Sequence, residues 1–130
     1  MKAVVKTIAG ERESLAPELL DRFPELGWIR VRRGGLAPRI GGWCLRQVTV
    51  AGITFGRTVW IGKNITPTAE LLLHELRHVQ QFESVHAFPL RYVWETLRRG
   101  YHHNRFEVDA RRFAADRLRA SLEVLSSEGA

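Results

Sequence analysis

His74-Glu75-Leu76-Arg77-His78 is an HExxH pentad in a stretch compatible with a helix. Two histidines four residues apart on a helix project from one face, one turn apart, close enough for two imidazole nitrogens to bind one Zn²⁺. Glu75 lies about 100° around the helix from His74, beside such a metal. There it can take a proton from the water that the metal activates and pass it to a leaving amine. The pattern points first to zinc-dependent hydrolysis.

A catalytic zinc usually has three protein ligands and an open position for water. The HExxHxxGxxH spacing would need glycine at 81 and histidine at 84, whereas the chain has Gln81 and Ser84. The remaining candidates are His86, His102, His103, Glu107 and Asp109. Glu107 stands out because it opens an apparent helix with a small residue, Ala110, three positions later. That arrangement lets the helix pack closely against the one carrying the histidines.

With these residues in place, the chain resembles the gluzincin group of zinc metallopeptidases, and in particular its small minigluzincin-like members. In that group the HExxH helix is followed by a second helix whose ExxA-type start supplies a glutamate ligand. The matching residues are His74, Glu75 and His78, then Glu107-Val108-Asp109-Ala110. The resemblance spans roughly residues 58 to 115. It implies a zincin-like α+β fold, with a small mostly antiparallel or mixed sheet packed on the HExxH helix and a C-terminal ligand helix. It also implies His74, His78 and Glu107 as zinc ligands and Glu75 as general base. One position departs from the pattern: many gluzincins carry an acid four residues after the ligand glutamate, and this chain has Arg111 there. An arginine cannot accept the imidazole N–H, so a backbone carbonyl or another carboxylate, such as Asp109, is expected to support a histidine instead.

The elements that must position these groups can be read in outline. Ser14 is a candidate cap for a short helix from Leu15 to Arg22, with Pro17 near its start and Pro24 ending it. Residues 27–33 alternate apolar and basic side chains, as a strand would. Residues 34–42 are rich in glycine and proline and read as a mobile loop. From Trp43 to Ile61 the pattern fits two or three short strands, with turns at Ala51-Gly52 and Gly56-Arg57. Thr66-Pro67 supplies an N-cap and a first-turn proline for a helix running to about Glu83. Leu72, Leu76 and Val79 form its apolar stripe, while His74 and His78 face elsewhere with Leu71 and Gln81. A further helix is expected over Leu90 to Arg99. The last begins after Asn104 and runs to about Leu125, with Phe106, Ala110, Phe113, Ala114, Leu118, Leu122 and Leu125 as its core stripe.

Three further roles follow from position. Tyr101, just before the ligand helix, can donate a hydrogen bond to the oxyanion formed during peptide hydrolysis. The strand Thr58, Val59, Trp60, Ile61, read as an exposed edge, can pair with an extended peptide substrate. Cys44 reads as a small buried residue.

The 130 residues, 45% of them hydrophobic, suit one domain over positions 1–130. Cys44 is the sole cysteine, so a disulfide within the chain and a thiolate zinc cluster are both excluded. Lys6 falls where a signal sequence would need its apolar centre, and no stretch approaches about 18 apolar residues, so a soluble, cytoplasmic protein is expected. The net charge of +6 is dispersed and offers weak support for a nucleic-acid partner. The leading expectation is a zinc-dependent peptidase acting on a peptide or protein substrate. The competing class is a non-catalytic or latent zinc-binding module that contacts DNA or another protein.

Overall fold

The computed structural model describes residues 10–35 and 52–129. The expected strands at Trp43 to Val50, Cys44 and most of the glycine-rich loop lie outside the described residues. The described elements are β1 (Glu11–Arg12), α1 (Pro17–Arg22), a 3-10 helix (Pro24–Trp28), β2 (Arg30–Arg33), β3 (Gly52–Phe55), β4 (Thr58–Ile61), α2 (Ala69–Ser84), α3 (Phe88–Arg99) and α4 (Arg105–Glu128). The chain is thus a mixed α+β structure.

The four strands form one sheet in the order β1-β2-β4-β3. The pairs β1/β2 and β4/β3 are antiparallel, whereas β2/β4 is parallel with Val31 opposite Val59. The β3–β4 hairpin turns at Gly56, whose φ of 62° favours glycine. Strand alternation drives Val59 and Ile61 fully into the core with Val31, leaving Trp60 half-buried on the opposite face. Leu72, Leu73, Leu76 and Val79 of α2 pack into the same cluster with Phe23, Leu26 and Ala114. α4 lies along α2 in the most extensive helix–helix contact. Ala110, fully buried, permits that close approach.

Several expectations shift. Thr58–Ile61 is not an edge strand: β4 pairs with β2 on one side and β3 on the other, so its backbone groups are already used. Thr68, not Thr66, caps α2, its hydroxyl accepting from the Leu71 amide at 3.2 Å. Ala16 rather than Ser14 stands at the start of α1, where Pro17 at the first helical position needs no amide partner. Pro24 opens a 3-10 turn through Trp28, which buries Leu26 and delays the strand to Arg30. α3 begins two residues earlier than expected, at Phe88, which is buried, so Pro89 falls in its first turn. α4, with 24 residues, is longer than the 16-residue α2 it lies along, and Leu122 and Leu125 are exposed although they continue the helical stripe. Among the described residues, no helix is long and apolar enough to cross a membrane.

Candidate metal centre

The core beneath α2 fixes which way its polar face points. With Leu72, Leu73, Leu76 and Val79 buried against the sheet, His74 and His78 turn toward the start of α4, their rings 4.9 Å apart and edge to face. Nε2 of His74 lies 2.8 Å from Oε2 of Glu107, and Nε2 of His78 lies 2.9 Å from Oε1. One ligand atom from each residue lies within 4.8 Å of the others, close enough for a single metal ion.

Glu107 is held there by the junction of α3 and α4. Asn104, fully buried, caps α4 by accepting from the Phe106 amide at 2.9 Å. Its side-chain amide donates at 3.0 Å to both the Tyr92 carbonyl and the Thr96 hydroxyl, tying the end of α3 to the start of α4. Tyr92 in turn donates its phenol to Oε1 of Glu107 at 2.7 Å. Sequence reasoning missed Tyr92. It lies four residues after Phe88 and three before Glu95, and the shared face of those three on a helix was the signal that could have found it.

The support for His78 is Gln81, also missed. Gln81 donates its amide to the Phe106 carbonyl at 3.0 Å and to Asp109 Oδ2 at 2.9 Å. Both amide hydrogens are then used, so Oε1 must be the atom that meets His78 Nδ1 at 2.8 Å. Nδ1 therefore donates to Gln81, which leaves Nε2 as the ring atom that meets Glu107. Asp109, the expected support, reaches the histidine only through Gln81, while Arg77 grips its carboxylate at 2.8 Å. Arg111 bonds the His102 carbonyl and takes no part.

Electrostatics fit a cation at this junction. Burial by itself would raise the Glu107 carboxyl, but hydrogen bonds with His74 and His78 outweigh it and hold the group well below the usual carboxylate range. Burial would lower His78, yet the bond to Glu107, the charges of Glu75 and Glu107 and the bond to Gln81 push it up to about 9. The Arg77 guanidinium lowers Asp109. A buried carboxylate that stays ionised thus sits between two imidazole nitrogens at one point. A borderline-soft divalent ion with nitrogen and oxygen preferences suits that donor set.

Glu75, buried, borders the same cavity as His78 and Glu107. The Thr54 hydroxyl of β3 donates to its Oε2 at 2.7 Å. Gly52 passes so close that a Cβ there would stand 3.1 Å from Oε1. The cavity holds about 180 Å³, and its walls include Ile53, Phe55, Phe82, Phe88 and Val93. Phe82 packs edge to face with both Phe55 and Phe88, at 5.1 and 5.0 Å. Tyr101 lines the cavity, and burial followed by the Glu107 charge raises its phenol above the ordinary value, as it does for Tyr92.

The structure therefore brings together His74, Glu75, His78, Glu107 and Tyr101. It leaves out Thr58, Val59, Trp60 and Ile61, none of which lines the cavity; β3, at the end of the described sheet, occupies that place. His86, His102 and His103 are exposed and stand apart from the three residues close enough to hold a metal ion. No family model matches the chain, and neither a curated protein nor a solved structure is significantly similar to it.

Proposed function

We propose that the protein is a zinc-dependent peptidase. The observation that carries this reading is the meeting of two histidine Nε2 atoms with the buried Glu107 carboxylate, beside a cavity that His78, Glu107 and Glu75 line. His74, His78 and Glu107 would hold the ion. When bound, Zn²⁺ would lower the pKa of a water toward about 7 and polarise a carbonyl.

The chain's own residues account for the remaining steps. Glu75 accepts the proton of the attacking water and delivers it to the departing amine, so both transfers pass through one carboxylate. Thr54 and the bare α-carbon of Gly52 keep that carboxylate in one orientation. Tyr101 supplies a phenolic hydrogen bond to the oxygen that gains charge when the carbonyl is attacked. Tyr92 is committed to Glu107 and so orients the ligand. An extended peptide running along β3 would set an apolar side chain among Phe55, Phe82 and Phe88.

The test is cleavage of a peptide library by zinc-reconstituted protein and by Glu75→Gln. The proposal expects cleavage by the native chain, abolished by a chelator, and a drop on the order of 10²-fold or more in the variant. Zinc-dependent cleavage that survives the substitution would remove Glu75 from its role. One tightly bound zinc without turnover on any peptide would instead favour the non-catalytic or latent module.

A further inference from the structure

α3 is amphipathic in an unusual sense, because the side it turns to solvent is the apolar one. Leu90, Val93, Trp94 and Leu97 are 75%, 54%, 62% and 77% exposed. At about 100° per residue they fill an arc of roughly 100°, centred opposite the buried Phe88 and Glu95. Arg91 and Arg98, both exposed, flank one border of that arc, and no carboxylate among the described residues pairs with either. The only acid of the helix, Glu95, is turned inward, where Arg99 and Arg105 each approach it to 3.8 Å. The outer surface of α3 is therefore a hydrophobic ridge whose formal charges are all positive.

We propose that this ridge docks onto an anionic lipid surface. An aliphatic stripe with a tryptophan, flanked by arginines on a helix of low overall hydrophobicity, is the pattern of a helix that lies in the plane of a membrane interface. Trp94 suits the headgroup level, and the aliphatic stems of Arg91 and Arg98 allow their guanidinium groups to reach phosphates while the stripe is immersed. A second copy of the chain fits less well. Twelve residues span only about 18 Å, a narrow strip beside the about 800 Å² per partner that a stable interface buries. Two such ridges would also bring like charges together. Leu90, Trp94 and Leu97 project from the side of a single helix, a convex surface that can rest on a flat lipid layer. Val93 belongs to both the ridge and the cavity wall, so docking brings the cavity mouth to the lipid. The proposal depends on neither metal binding nor catalysis.

The test is co-sedimentation of the full chain with phosphatidylcholine vesicles and with vesicles containing about 30 mol% phosphatidylserine. Partitioning should be at least about tenfold stronger on the anionic vesicles and should fall steeply toward about 0.5 M salt. Trp94→Asp with Leu97→Asp should lower it by about tenfold or more, with the helical circular dichroism signal retained. Arg91→Gln with Arg98→Gln, which leaves the apolar stripe intact, should also cost on the order of tenfold. Equal binding to neutral vesicles, or binding unaffected by both pairs, would overturn the proposal. Absence of lipid binding would overturn it too, and a concentration-dependent dimer abolished by the Asp pair would then assign the ridge to a second copy.

Discussion

Gln81 turns its amide oxygen to Nδ1 of His78 at 2.8 Å, and that contact determines which nitrogen of the ring faces Glu107. A hydrogen bond that orients a metal ligand typically contributes about 10–100-fold to affinity. Gln81→Leu should therefore weaken zinc binding by about 10–100-fold, read by competition with a chromogenic chelator. Gln81→Glu, which keeps an acceptor for Nδ1, should recover part of the loss. Unchanged affinity in the leucine variant would mean that the ring is held by other contacts.

Asn104 joins three segments through one buried side chain. Asn104→Ala removes the cap of α4 and the partners of the Tyr92 carbonyl and Thr96 hydroxyl. The loss should be about 2–4 kcal/mol, a fall of roughly 10 °C in the melting temperature. Asn104→Asp keeps the cap and loses only the two donors, so calorimetry should find it intermediate.

How much of this was legible follows from the range of each signal. The pentad, Glu107 and the Asn104 start could be read because helical spacing, a carboxylate three residues before a small residue and a cap are local features. Strand order is not local. Val59 and Ile61 alternate as any half-buried strand does, and only the parallel pairing with β2 reveals that β4 is internal. Gln81 reads in sequence as one more polar residue on an exposed helix face, and its role appears only when Phe106 and Asp109 arrive from α4. Leu122 and Leu125 failed for the opposite reason: the helical stripe continues although the 16-residue α2 that α4 packs on is shorter than the 24 residues of α4.

Gly52 and Glu75 make a second sensitive pair. Gly52→Ala places a methyl 3.1 Å from the carboxylate oxygen and should push Glu75 from its bond to Thr54. Turnover should fall by on the order of tenfold or more while zinc content is unchanged. Loss of zinc in this variant would place Glu75 among the metal ligands instead.

The two phenols should separate cleanly. Tyr101→Phe should lower kcat by on the order of 10²-fold with zinc affinity intact, as removal of a transition-state donor does. Tyr92→Phe removes a hydrogen bond to Glu107 and should weaken zinc binding by about tenfold. Steady-state kinetics beside chelator competition distinguishes the two.

The most direct measurement is zinc stoichiometry by mass spectrometry after reconstitution and dialysis, across a panel of single substitutions. One zinc per chain is expected, lost in His74→Ala, His78→Ala and Glu107→Ala, and kept in His86→Ala, His102→Ala and His103→Ala. Full zinc retention by Glu107→Ala, or its loss in a variant of the exposed histidines alone, would contradict the centre described here.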